Sequence, residues 1–222
     1  GVAVYFAKSY PKYLVLEIGA DHKGDIESVS KWLKTDITVL TQFSEIPVHV
    51  ENFANREELI REKKYLVDSI KKGGLFVYNA DCRDSVDIAS GVNGNKISFG
   101  IHAGDYVARQ IVNTLNPAQV SAVVQYGEGS KLDIVCKDVL GESPILCALP
   151  AIVVARHLKV DLLDASKHIT DMHRAGGRMR VLPGKSGSII IDDTYNASPL
   201  ATEHGIKTLG TLDVKGRKIA IV

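Results

Sequence analysis

Three groups of polar residues stand where apolar runs end. Tyr13-Leu14-Val15-Leu16 leads into Glu17, Leu75-Phe76-Val77-Tyr78 into Asn79 and Asp81, and Ile189-Ile190-Ile191 into Asp192 and Asp193. Such runs read as buried strands of a parallel sheet, and in α/β sheets ligands gather at the carboxyl ends of strands. One polar residue there most often caps a turn. Three groups together point to a polar ligand or a metal. Lys63 is a different kind of candidate. The segment Arg56–Lys72 carries an apolar stripe of Leu59, Ile60, Leu66, Val67 and Ile70, and at about 3.6 residues per turn Lys63 falls in its middle. Either its stem is buried with the amine in water, or the amine sits in a partly desolvated site where a lowered pKa makes it reactive. Spacing alone favours the first reading. His49, between Pro47 and Glu51 in a polar loop, reads alone as a surface histidine, and the other histidines show no ligand spacing. No G-x-x-x-x-G-K-[ST] phosphate loop occurs anywhere in the chain.

These residues need a scaffold. Asp25 to Leu33 predicts a helix with Asp25 as N-cap, Ile37–Leu40 a strand, and Arg56–Lys72 an amphipathic helix ended by Gly73-Gly74. Strand, helix, strand, helix, strand is the order of a parallel sheet with crossover helices. The middle differs. Ile97–Gly100, Tyr106–Thr114, Gln119–Tyr126 and Lys131–Lys137 predict short strands, with turns at Asn116-Pro117 and Gly127-Glu128-Gly129, as antiparallel hairpins inserted in the sheet. Ser143-Pro144 opens a helix, with Ser143 as cap and a small-residue face of Ala148, Ala151 and Ala155. Asp161–Met172 is another helix. Pro199–Leu209 is the last helix, and Ile219–Val222 reads as a further buried strand.

Composition is that of a globular protein: of 222 residues, 45% are hydrophobic and 24% charged, ample for a core. A net charge of +1 gives no polyanion footprint, which disfavours nucleic acid as a partner. No apolar run approaches the roughly 20 residues of a membrane helix. Cys82, Cys136 and Cys147 are widely spaced and form no metal motif; they suit a reducing compartment, so a cytoplasmic location is expected. Both methionines, Met172 and Met179, are internal. With the apolar final run, this reads as an internal piece of a larger α/β enzyme.

Several motifs in order resemble those of the Mur ligases. Glu17-Ile18-Gly19-Ala20 is similar to the family's E-M-G-A, Pro47-Val48-His49-Val50-Glu51 to P-A-H-L-E, and Glu62-Lys63 with Asn79-Ala80-Asp81 to A-K…N-A-D. Gly177-Arg178-Met179 is similar to G-R-M. Ile191-Asp192-Asp193-Thr194-Tyr195-Asn196-Ala197-Ser198-Pro199 most resembles the string of members that add D-Ala-D-Ala to a UDP-muramoyl tripeptide.

The resemblance implies a P-loop-NTPase-like central domain over 1–186 without its phosphate loop, and a linker with the beginning of a Rossmann-like C-terminal ligase domain over 187–222. It implies an ATP-dependent ligase of peptidoglycan precursor synthesis. ATP would phosphorylate a carboxylate of the UDP-muramoyl peptide, and the amine of D-Ala-D-Ala would attack the acyl phosphate. Mg²⁺ would be held by Glu17, His49 and a carbamylated Lys63, with Lys63 and His49 in the catalytic group. Asn79, Arg178, Asp193, Tyr195 and Asn196 would meet nucleotide or substrate. The 222 residues alone are expected to be inactive. One departure opens an alternative: where the family has G-x-H-N-x-x-N-A, this chain has Gly141-Glu142-Ser143-Pro144-Ile145-Leu146-Cys147-Ala148. Ser143, Pro144 and Cys147 thus replace a histidine and two asparagines. That motivates the alternative, a degenerate nucleotide- or partner-binding relative without turnover; within the enzyme class the runner-up is an amide ligase with another substrate.

Overall fold

The computed structural model describes residues 11–43, 52–172, 175–195 and 197–221. Strands β1 (Thr35–Leu40), β2 (Ile70–Asn79) and β3 (Asn95–Gly100) run parallel, and β3 also pairs parallel with β4 (Tyr106–Leu115). From there the sheet turns antiparallel through β5 (Ala118–Tyr126) and β6 (Ser130–Lys137), and its spatial order is the chain order β1 to β6. The expected mixed architecture is therefore present, with the antiparallel strands continuing the same sheet. Ile97–Gly100 belongs to its parallel half and is not part of a hairpin.

Helix α1 (Asp25–Trp32) precedes β1, and the crossover helices are α2 (Arg56–Asp68) and α3 (Arg83–Ser90); α4 (Ser143–His157) and α5 (Leu162–Asp171) follow β6. Alternation along β2 sends Leu75 and Val77 into one core and Phe76 into another. The first core contains Phe99, Val120, Ile134 and the buried residues of α4, among them Ile145, Leu149 and Ile152. The second contains Leu40, Phe43 and Cys82 with Val67 of α2 and Ile88 of α3. A small hairpin, β7 (Arg180–Pro183) with β8 (Ile189–Asp192), precedes α6 (Pro199–Thr211). Ser198 caps α6 by accepting from Ala201 N. Leu140, Met179 and Leu212 form a third apolar cluster beside the hairpin.

Several local expectations are corrected. Helix α2 ends at Asp68, not Lys72, because Ser69 closes its last turn with Oγ donating to Leu66 O at 2.7 Å, and Ile70 pairs with Thr35. Gly73 and Gly74 lie inside β2, at a register shift. A Cβ on Gly74 would come 2.7 Å from Asp36 O, so the pair serves close backbone approach rather than a helix end. Gly24, not Asp25, holds the cap position of α1; Asp25 accepts instead from Asp21 N and His22 N. Glu142 holds that position in α4, and Ser143 is its first residue. Of the three alanines, only Ala148 is buried; Ala151 is exposed. Tyr13–Leu16 forms no strand, and Val15 is 92% exposed. Ile219–Ile221 forms none either. Neither segment lies along a strand of the described residues, and an extended backbone without a neighbour has no ladder to join.

Ser85 in α3 is fully buried, and its hydroxyl is without a hydrogen-bond partner among the described residues. An unsatisfied buried hydroxyl costs about 1 kcal/mol or more. Ser85→Ala is therefore expected to raise stability by about 1 kcal/mol, read as a shift of the urea midpoint at unchanged slope. A loss of stability would refute the account.

Candidate active site

The carboxyl end of β1 opens on a cavity of about 80 Å³ lined by Leu40, Gln42 and Phe43 on one side and by Lys63 and Leu66 of α2 on another. Lys63 Nζ lies over the Phe43 ring, 4.8 Å from its centroid. Burial pushes the Lys63 amine below the ordinary lysine value, with Cys82 acting in the opposite sense. The side chain thus points into the site and does not snorkel. The loop after β1 is held in place by Phe43 N, which donates to Cys82 Sγ at 3.4 Å.

The neighbouring Glu62 is a functional-looking residue with a structural task. It is 2% exposed, and Oε1 accepts from Ile26 N at 2.7 Å and Glu27 N at 2.9 Å. Gly24 offers α1 no side-chain cap, so a carboxylate from α2 satisfies the first-turn amides and meets the positive end of the helix. Sequence reading missed this. No local signal announces it, since Asp25 reads as the cap and Glu62 stands 36 residues from Ile26.

The structure brings Lys63 to the cavity but leaves Glu17 exposed and outside its lining; Ile18, the next residue, does line it. His49 lies outside the described residues. Among the described residues no three His, Cys, Asp or Glu side chains group as a metal site. Asn79 is fully buried, with Nδ2 donating to Gln42 Oε1 at 3.1 Å and Oδ1 accepting from Asp81 N at 2.9 Å. It ties the ends of β1 and β2 together beside the cavity. The Asp81 carboxylate accepts from the amides of Ile101, His102 and Ala103, so a nest that would suit an anion is filled by the protein's own carboxylate.

A second group joins Gly177–Met179 to the end of β8. Asp192 Oδ1 accepts from Thr194 Oγ1 at 2.7 Å and Oδ2 from Gly177 N at 3.2 Å. The Thr194 hydroxyl is the main reason the Asp192 carboxyl is held below the usual carboxylate value. Asp193 Oδ1 accepts from Met179 N at 3.0 Å, and the Arg178 guanidinium lies 4.1 Å from the Tyr195 ring centroid. Gly177 takes φ +69°, and a Cβ there would meet Tyr195 N at 2.8 Å. The motif residues Arg178, Asp193 and Tyr195 are thus gathered at one place, while Asn196 lies outside the described residues. Ser143 and Cys147 are exposed on the first turns of α4.

Comparison with known proteins agrees with this layout. The chain is similar to the UDP-N-acetylmuramoyl-tripeptide–D-alanyl-D-alanine ligase of Bacillus subtilis, 25% identical over 214 residues covering 94% of this chain and 43% of the relative. Its fold resembles that of MurF from Acinetobacter baumannii, with TM-score 0.76, 24% identity, and coverage of 88% of this chain and 42% of that one. It also resembles the MurF ligase of Thermotoga maritima in complex with ADP, with TM-score 0.71, 26% identity, and coverage of 86% and 43%. The chain spans less than half the length of these relatives. The family description "Mur ligase middle domain" matches residues 3–155, well over half of the sequence. With the mixed sheet and the ordered motifs, that match shows that the chain belongs to the Mur ligase family.

Proposed function

We propose that these residues are the central domain, over 1–186, and the start of the C-terminal domain, over 187–222, of an ATP-dependent amide-bond ligase of peptidoglycan precursor synthesis. The observation that carries the reading is Lys63, an amine with a lowered pKa held in a cavity at the carboxyl edge of the parallel sheet. A neutral amine is the form that takes up CO₂, releasing one proton and leaving a carbamate. Carbamate and carboxylate oxygens are hard donors of the kind Mg²⁺ takes; a carbamylated Lys63 and Glu17 would supply such oxygens, with His49 as a further ligand. Bound there, Mg²⁺ would offset phosphate charge during phosphoryl transfer. Asn79 keeps the β1 and β2 ends in register beside the site. Arg178 over the Tyr195 ring, with Asp193 accepting from Met179 N and Tyr195 N donating to Gly177 O, would meet nucleotide or substrate from the C-terminal side. The substrates proposed are ATP, a UDP-muramoyl peptide and D-Ala-D-Ala, the last supplying the amine that attacks the acyl phosphate. A cytoplasmic location is proposed with it, on three widely spaced cysteines that suit a reducing compartment. Among the described residues no helix is long and apolar enough to cross a membrane.

The test is phosphate release from ATP by the full-length ligase containing this chain, supplied with UDP-muramoyl tripeptide and D-Ala-D-Ala. Release that depends on both substrates is expected, and none from the 222 residues alone, which contain no phosphate loop. ATP binding without release would instead support a degenerate, non-catalytic relative. That second reading draws on Ser143, Pro144 and Cys147, which place no amide side chain on the first turns of α4.

A further inference from the structure

A second cavity, of about 610 Å³, opens at the other end of α4. Arg156 and His157 of the last helical turn line it, with Asp105 and Tyr106 at the start of β4 and the apolar Val153 and Ile97. The arginine is fixed in place. Its guanidinium carbon lies 4.8 Å from the Tyr126 ring centroid and 6.0 Å from that of Tyr106, and Nη1 donates to Tyr106 Oη at 3.1 Å. The two rings face each other across the β4–β5 ladder and stack with centroids 5.2 Å apart and planes 6° from parallel. The sheet therefore positions the rings, and the rings position the cation.

The cation is not used up. A guanidinium has five N–H donors. Among the described residues, the Arg156 guanidinium has the Tyr106 hydroxyl as its one hydrogen-bond partner and no carboxylate within ion-pair range. The acid in the same wall is turned elsewhere, with Asp105 Oδ2 accepting from Ser98 N at 2.8 Å and Ser98 Oγ at 2.7 Å. Gly127, at φ +56°, leaves Nη1 uncovered on that side, where a Cβ would stand in van der Waals contact with it at 3.8 Å. A preorganised guanidinium fork with spare donors, bordering apolar side chains, is matched by a planar or tetrahedral oxyanion attached to an apolar body.

We propose that this cavity binds a small molecule carrying a carboxylate or phosphate beside an apolar group, with Arg156 as the anchor and the half-buried Ile97 receiving the apolar part. The site is separate from Lys63 and does not depend on the ligase reading. The test titrates the full chain, in ¹⁵N NMR, with benzoate, phenyl phosphate and, as the neutral control, benzamide. Saturable shifts confined to Gly104, Gly127, Val153 and Arg156 are expected for at least one anion and not for benzamide. The tighter of the two anions identifies which oxyanion the site prefers. Arg156→Gln should weaken binding about tenfold or more, the usual scale for losing charge-assisted hydrogen bonds. Arg156→Lys, which keeps the charge without the fork, should weaken it less; it also carries the test if the glutamine variant fails to fold. Absence of saturable shifts with both anions, equal shifts with benzamide, or unchanged affinity in the variants would overturn the proposal.

Discussion

Replacing Glu62 with alanine is expected to destabilise the chain by about 3 kcal/mol, because two helix-start amides, one buried and one half-buried, lose their acceptor at roughly 1–2 kcal/mol each. Ile26 N and Glu27 N both donate to one oxygen of this carboxylate, and Gly24 has no side chain to replace it. Solvent offers little compensation, since Ile26 is itself only 2% exposed. Glu62→Gln keeps an acceptor oxygen in the same place and loses only the charge at the positive helix end, so its cost should be about 1 kcal/mol. Urea denaturation measures both. Hydrogen exchange gives an independent readout: the Ile26 and Glu27 amides should lose protection in the alanine variant while those of β2 keep theirs. If Glu62→Ala stays within about 0.5 kcal/mol of the parent, the typical scale of an inconsequential surface change, the carboxylate is not capping α1.

The reach of sequence reading here follows from what kinds of signal a residue type carries. The β4–β5–β6 meander was legible because strand alternation and turn residues agree. Gly127 and Gly129 take the positive φ that the turn needs. Helix α6 was legible from Ser198-Pro199, a cap followed by the residue best suited to the first helical position. The end of α2 was not. A Gly-Gly pair suits a helix end and a strand irregularity equally, and the pairing of Thr35 with Ile70, which decides between them, is a contact between distant segments. For the same reason apolar content alone did not make strands of Tyr13–Leu16 or Ile219–Ile221.

The site shows a similar division. Lys63 could be singled out because a cation in an apolar stripe is the wrong type for its position. Asn79 and Asp81 were located at the correct strand end, yet their polar atoms bind Gln42 and the amides of Ile101–Ala103. A strand-end amide that would grip a ligand and one that grips a loop have the same local sequence. Only the loop's return path separates them. Glu62 was invisible as a cap because its partners lie 36 and 35 residues away.

Lys63→Met is expected to divide stability from chemistry. The thioether fills much the same volume in the cavity beside Phe43 and Leu66, and no amine has to be desolvated. At neutral pH the variant should therefore be at least as stable as the parent, by up to about 1 kcal/mol. The pH dependence carries a definite sign. Burial lowers the Lys63 pKa, so on descending from high pH the unfolded chain binds this proton before the folded chain does. The parent's full stability is present above the ordinary lysine pKa and is lost progressively as pH falls to the depressed folded value. Lys63→Met should flatten the stability profile in that window. The chemical readout runs the other way. In ¹³C-bicarbonate the parent chain should show a carbamate resonance that the methionine variant lacks. In the full-length ligase the same change should reduce phosphate release by about a hundredfold or more, the scale on which removal of one essential electrostatic group acts. A variant that loses stability at neutral pH would mean that the amine reaches water. An unchanged carbamate spectrum would remove Lys63 from the proposed metal site.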